Sequence, residues 1–492
     1  MKASDKSLVL MAGIICLVAL HYAWNPFGFD AKVLKGFSMG LLMISFWILE
    51  VLPMPVVALF PLVFFPLWNL ADLKEVSKHY ADPVIFLFMG GFFIALAIQK
   101  WNLHQRIALN ILKWSGSNGN QILLGFILAT FLISMWLSNT ATTMMMYPIA
   151  LSVIQVLGQS ESETNLKPLS LSILLSIAYA SNFGGLATIV GTPPNVAFIG
   201  FMNERMQFGI SFWQWFMIGF PVALTMALLM YVLFTRLLYR NQIRKNIETE
   251  QYILRELEGL GPWSMAEKRV FVIFTGTAFL WMSKDLWVRF LSLPLNDTVI
   301  ALLGALALFV VPSGAHKQQE DSADKEEKSH NRLLEWDDTR NMAWGILLLF
   351  GGGLALAKTW EDVGIMEMIG RGIGAHAPSN TFLLMLLVAA VSVYLSEIMS
   401  NVAQVIVMAP ILASVALAMG IPPIWIGLPM TFAASCAGML PMGTPPNAII
   451  YSSNKVPLRQ MIRAGGILNL VSILVISSLC YFLVEYVFRS VG

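Results

Sequence analysis

Charged residues are scarce in this chain. Only 12% of its 492 residues are Asp, Glu, Lys or Arg, about half of the roughly 25% carried by soluble domains, which excludes a water-soluble globular fold. Cysteine is nearly absent too. Cys16, Cys436 and Cys480 lie far apart in apolar stretches, without a CxxC or neighbouring histidines, so neither a disulfide framework nor a zinc site is indicated. Charge of one sign is not in surplus: the net charge is +2 and no basic run is interleaved with aromatics, which excludes nucleic acid as a partner. HExxH, GxSxG and phosphate-cradling glycine loops are missing, so the chain does not read as an enzyme.

What is abundant is apolar. The apolar fraction is 57% and the mean hydropathy +0.70. A crossing helix needs roughly 20 apolar residues, so the chain has material for about a dozen crossings. The expectation is an all-α polytopic membrane protein with the lipid bilayer as its first partner. Leu8 to Trp24 has no small-residue cleavage site after it and reads as a first span rather than a signal peptide. Further apolar windows follow, and two of them, 121–157 and 380–419, are interrupted mid-length by polar residues, as re-entrant hairpins would be. The chain then divides into residues 1–32 with the first span, a first repeat over 33–240 containing hairpin 121–157, a connector over 241–267, and a second repeat over 268–490 containing loop 313–340 and hairpin 380–419. Arg240, Arg244, Lys245, Arg255, Lys317, Lys325, Lys328 and Arg332 in the connector and loop fall on one side with Lys2, Lys6, Lys113, Lys455, Arg459 and Arg463. The positive-inside rule puts that side and the N-terminus in the cytoplasm and the C-terminus outside, in a cell inner membrane.

The chain repeats itself. FLFMGGFFIALA at Phe86 to Ala97 is matched by LLLFGGGLALA at Leu347 to Ala357, SMWLSNT from Ser134 by SEIMSNV from Ser396, and GTPPN recurs at Gly191 to Asn195 and Gly443 to Asn447. Each repeat holds five crossings plus one hairpin, an odd number, so the second copy is upside down relative to the first. Inverted repeats with broken helices near the bilayer midplane are the architecture of secondary transporters.

Polar residues at membrane depth are costly unless they face a cavity or a partner. The paired prolines of GTPPN remove two backbone donors and its glycine admits unusual dihedral angles, so the helix breaks and frees carbonyls and amides. A helix restarting after such a break presents a partial positive charge suited to anions, while the carbonyls and the serine and asparagine oxygens suit a hard monovalent cation. No Arg, Lys or His lies in either tip or either GTPPN, so bound cations must neutralise a dianion, and neutral oxygen ligands favour Na+. Glu397 has no counterpart in the first half, where Met135 stands; a cation site, a proton relay or a pairing elsewhere all remain open for it. Glu50 sits at a corner before Pro53, and the histidines fall mostly at span ends or in loops.

At WILEVLPMPVVALFPL, VIFLFMGGFFIALAIQKW, SNT, WGILLLFGGG and both GTPPN segments the chain resembles the divalent anion:sodium symporter family over nearly its whole length. The resemblance implies about eleven transmembrane helices with two re-entrant hairpins, a homodimer, and an elevator mechanism in which the hairpins and GTPPN spans move against a scaffold. It implies Na+ entry coupled to uptake of C4-dicarboxylates such as succinate, malate and fumarate. One Na+ site would use Ser134, Ser138, Asn139 and the Gly191 backbone; the other would use Ser396, the Met399 backbone, Asn401 and Gly443. The small anionic substrate would touch Asn139, Thr140, Asn401 and Thr444, with Thr192 and Pro445 close. Val402 departs from the usual threonine and removes one hydroxyl from a symmetric clamp, which leaves citrate as well as sulfate in play. An exchanger not driven by Na+ would look nearly the same in sequence. A channel is the other class, since selectivity loops also use freed carbonyls, but two inverted half-sites favour alternating access.

Overall fold

The computed structural model describes residues 13, 30–49, 51–291, 294–314 and 332–488. Apart from Gly13, the predicted first span over 7–24 lies outside them, as do Glu50 and most of loop 313–340.

The described residues are helical almost throughout, and seven helices are long and apolar enough to cross a membrane, with shorter apolar helices between them. In the first half, α1 (Ala31–Leu49), the proline-interrupted pair α2 (Met54–Val57) and α3 (Phe60–Leu67), and the short α4 (Leu73–Lys78) lead to α5 (Pro83–Lys100). Asp82 caps α5, accepting from the Val84 amide, and Pro83 takes the first turn, where a missing N–H costs nothing. Next comes α6 (Leu103–Ser115) and then a helix–break–helix hairpin, α7 (Gly119–Ser134) and α8 (Asn139–Ser160). A capping box between Asn118 and Gln121 starts it. The following span is broken into α9 (Glu163–Leu186) and α10 (Pro193–Arg205), after which α11 (Phe212–Leu233) returns.

The predicted connector contains a helix, α12 (Ile247–Gly259). It is fastened by Arg106, whose guanidinium meets Glu267 at 2.8 Å and the Gly261 and Leu260 carbonyls at 2.9 and 3.1 Å, with Trp263 5.4 Å from it. The second half follows the same order. Helices α13 (Met265–Leu291), α14 (Asp297–Val310) and α15 (Trp344–Asp362) precede α16 (Ile365–Gly374). The second hairpin is α17 (Thr381–Ser396) and α18 (Asn401–Ala418), the second broken span α19 (Ile424–Ala434) and α20 (Pro445–Ser452), and α21 (Leu458–Phe488) closes the fold.

The end of the segment expected to be a flexible loop is ordered. Leu333 and Leu334 donate back to Val311 and Leu308, and a short 3-10 turn over Trp336–Asn341 places Asp338 2.6 Å from Lys100. A partly buried lysine from the first half is paired by that carboxylate, and hydropathy patterning does not reveal the pairing.

Helix α9 is buried from Leu171 to Leu186 on every face, as a helix apolar all round must be. It packs against both arms of the first hairpin, α11 and α20. The two halves interlock reciprocally: α20 lies on arm α8 of the first hairpin, and α10 lies on arm α18 of the second. By contrast, α11, α13 and α21 carry exposed large apolar side chains, among them Leu228, Phe279, Leu286, Leu470, Phe482 and Tyr486. In water such a surface would aggregate; facing hydrocarbon it is the favourable arrangement.

Candidate substrate and cation site

The interruptions converge. A cavity of about 870 Å³ is lined by Ser138, Asn139 and Thr140 of the first tip, Met399, Asn401 and Val402 of the second, Thr192 and Pro193 of the first break, and Gly443, Thr444 and Pro445 of the second. Four helices therefore begin at its wall: α8 at Asn139, α18 at Asn401, α10 at Pro193 and α20 at Pro445. Each contributes a positive dipole end of about half a charge. Among the described residues no Arg, Lys, His, Asp or Glu lines the cavity. Phe92, Leu96 and Gln99 of α5, Ile346 of α15, and Leu49, Met342 and Ala343 also line it. Leu49, Gln99, Met342 and Ala343 stand at or beside the ends of α1, α5 and α15.

Ser134, Gly191 and Ser396 do not line the cavity; they stand directly behind it. The Ser134 hydroxyl lies 2.9 Å from the Asn139 side-chain oxygen and 2.7 Å from the Ser181 carbonyl. In the second half Ser396 lies 2.6 Å from the Asn401 oxygen and also bonds the Ala434 carbonyl. Both serines are fully buried. Each tip is thus tied by hydrogen bonds among serine, asparagine and a carbonyl of the broken span, and such ties hold side-chain oxygens in place as a small cation site requires.

Several residues outside the predicted set complete the geometry. Asn195 donates to the Gly185 and Thr188 carbonyls at 2.9 and 2.8 Å, ten and seven residues earlier. Asn447 does the same to the Ala437 and Leu440 carbonyls at 3.0 and 3.2 Å, again ten and seven residues earlier. The last letter of GTPPN therefore clamps the break that the prolines create. Recurrence of that asparagine in both pentapeptides was the available signal. Losing one clamp removes two buried hydrogen bonds, each worth about 1 kcal/mol and more when its partners stay unsatisfied. Asn195→Ala and Asn447→Ala are accordingly expected to lower the melting temperature of the purified protein by several degrees and to similar extents; a wild-type melting curve in either would refute the clamp.

Asn182 joins the halves. Its side chain accepts from Asn139 at 3.4 Å and donates to the Thr444 hydroxyl at 3.0 Å, so the tip of one repeat touches the break of the other. Tyr179 adds a second link, its hydroxyl 2.9 Å from the Gly438 carbonyl. The Ser181–Asn182 pair inside an apolar helix was a visible hint, but only packing brings it to the site.

Glu397 is nearly fully buried and faces the break rather than the cavity. It accepts from the Gly438, Met439 and Leu440 amides at 2.9, 2.8 and 2.8 Å and from the Asn469 side chain at 2.7 Å. The reason for its lack of a counterpart is visible. In the first half α9 stays helical to Leu186, and the tie from break to tip is the Thr188 hydroxyl on the Met135 carbonyl at 2.5 Å. In the second half the helix stops at Ala434, leaving amides that need an acceptor. The same tie is made there from the Leu440 backbone to the Glu397 side chain.

Broken helices from both halves of the chain meet at a cavity that no charged side chain lines among the described residues, which is the arrangement of a membrane transporter of the inverted-repeat type. Comparison with known proteins narrows it. The family described as "Sodium:sulfate symporter transmembrane region" matches residues 4–486, and the chain belongs to that family. It is 33% identical over 482 residues to the sodium-dependent dicarboxylate transporter SdcS of Staphylococcus saprophyticus, covering 96% of this chain and 91% of the relative. It is 31% identical over 485 residues to SdcS of Staphylococcus aureus, covering 97% and 91%. Two solved structures share the fold at low identity. The YdaH transporter of Alcanivorax borkumensis has 12% identity and a TM-score of 0.52, covering 85% of this chain and 89% of that one. MtrF of Neisseria gonorrhoeae has 11% identity and a TM-score of 0.53, covering 95% and 97%.

Proposed function

We propose that the protein couples Na+ entry to uptake of a C4-dicarboxylate such as succinate, malate or fumarate across the cell's inner membrane. The observation that carries this reading is the cavity wall: four positive helix ends, neutral oxygens and, among the described residues, no charged side chain. A dianion there is held by dipoles only in part, and one Na+ behind each tip supplies the remaining charge. The proposed ligand sets are Ser134, Ser138, Asn139 and the Gly191 backbone for one ion, and Ser396, Asn401 and the Met399 and Gly443 backbones for the other. The substrate lies between the tips on Asn139, Thr140, Asn401 and Thr444, with Thr192, Val402 and Pro445 against it. The names of the Staphylococcus relatives favour dicarboxylate over sulfate. The elevator motion, the homodimer, the repeat boundaries and a cytoplasmic N-terminus belong to the same proposal, supported by the inverted halves and the positive-inside charge pattern.

Radiolabelled uptake into proteoliposomes tests it. Succinate uptake is expected to require an inward Na+ gradient and to stop when Na+ is replaced by K+; equal uptake without any Na+ gradient would establish exchange instead. Succinate is expected to be competed by malate and fumarate, and competition only by citrate or sulfate would reassign the substrate. Ser138→Ala removes one proposed ion ligand and is expected to raise the Na+ concentration for half-maximal uptake by about tenfold, the equivalent of 1.4 kcal/mol. An unchanged Na+ dependence would remove Ser138 from the site.

A further inference from the structure

We propose that a partly buried polar cluster around Arg205 is a latch that holds the protein in the conformation seen here by fixing α10 against α5 and α15. The inference rests on the alternating-access reading above.

The cluster lies at the ends of α5 and α15 opposite those that line the cavity. Helix α5 runs from Pro83, beside His79, to Gln99 in the cavity wall, and α15 runs from Trp344, next to the cavity-lining Ala343, to Glu361 and Asp362. Glu204 and Arg205 end α10, the helix that begins at the first break. His79 Nδ1 is 2.5 Å from the Glu204 carboxylate. Arg205 Nη2 lies 3.0 Å from the Leu354 carbonyl and 3.5 Å from His79 Nε2, and its Nη1 is 3.8 Å from Glu361. The tautomer with its proton on Nδ1 lets one imidazole donate to Glu204 and accept from Arg205. The Arg205 side chain is only 6% exposed.

Two observations make this a latch and not a fixed brace. Next to it the contact between α10 and helices α5, α15 and α18 is apolar and built partly of small residues, with Val84, Ile85, Val196, Gly200, Gly353 and Ile406 around it. Such a surface sets no register along the helix axes, since apolar contacts are non-directional; the polar cluster does. Arg205 Nε and Glu204 Oε2 are also buried without a hydrogen-bond partner. Groups so placed in a native state mark a reservoir that another arrangement can satisfy. Movement of α10 relative to α5 and α15 would separate Arg205 from Leu354 and Glu204 from His79, so the cluster contributes to one state only and biases the equilibrium toward it.

The experiment uses the full chain, with Cys16 replaced by serine and a single reporter, Gln99→Cys, in the cavity wall. The rate of thiol labelling of the purified protein is measured with and without Na+ plus succinate, alongside uptake and thermal stability. In the parent, Na+ plus succinate is expected to change the labelling rate, and His79→Gln, Glu204→Gln and Arg205→Gln are each expected to change ligand-free labelling by roughly fivefold, all in one direction, a shift within reach of one broken, partly buried network. Arg205→Lys, which keeps the charge, is expected to fall between. If the parent responds to ligands while Glu204→Gln and His79→Gln, folded by their melting curves, label at the parent rate, the latch is overturned and the transport reading stands. If the parent itself does not respond, alternating access fails and the latch fails with it.

Discussion

Asn139→Ala and Asn401→Ala are each expected to reduce Na+-stimulated uptake to less than about one hundredth of wild type, a loss of at least about 2.7 kcal/mol at 1.4 kcal/mol per tenfold. The magnitude follows from position. Each asparagine opens a helix at the cavity wall and receives a hydrogen bond from a fully buried serine behind it, and Asn139 also donates to Asn182. Alanine therefore removes a proposed ion ligand and a substrate contact together. It also leaves the single hydroxyl proton of Ser134 or Ser396, shared between asparagine and carbonyl oxygens, with the carbonyl alone. The serines keep their carbonyl bonds, so stability is expected to fall less than transport does. Uptake measured in proteoliposomes at saturating Na+ separates the two: near-normal rates in either variant would detach that asparagine from both roles.

The other large effect is expected at Glu397. Glu397→Gln offers one acceptor oxygen where four donors now converge, and its amide would face N–H groups. Leaving buried donors unmatched around a truncated partner costs about 3–5 kcal/mol, which for a chain of this size corresponds to a melting temperature lower by at least about 4 °C. Function is expected to suffer beyond that. A Cβ on Gly443 would lie 2.8 Å from Glu397 Oε2, so the carboxylate sits against the backbone proposed to coordinate the second ion. The concentration of Na+ for half-maximal uptake is expected to rise about tenfold or more, by the same conversion of 1.4 kcal/mol per decade, while the first-half tip is untouched. Asn469→Ala, which removes one of the four donors, is expected to show a weaker form of both changes. A Glu397→Gln protein that melts and responds to Na+ like wild type would leave the carboxylate without the role its contacts describe.

Much of the site was legible because its signals are local and written twice. Proline pairs at membrane depth, an SN dipeptide in an apolar run and the order of three landmarks need no tertiary information, since each acts through the backbone of its own segment. Glu397 was not legible in the same way. Its neighbour Ser396 pairs five residues away, but its own partners lie 41 to 72 residues on, and three of them are backbone amides freed by where α19 stops. The pairing of Lys100 with Asp338 and the cluster around Arg205 were equally invisible, because charges at span ends look alike in sequence whether solvated or paired. The order at 332–340 was hidden by the same ambiguity, as a charge-mixed stretch reads as a linker until a partly buried lysine is found to pair with it.

The sequence by itself determined that this protein lives in a bilayer, that its chain is two copies of one plan, and that the breaks carry the chemistry, since apolar length, repeat order and proline placement are properties of the covalent chain. Only the tertiary structure decided which break meets which tip, that four helix ends share one wall, and that a carboxylate serves the backbone instead of the cavity. Those are matters of where segments far apart in sequence come to rest, and packing between them fixes what no single segment contains.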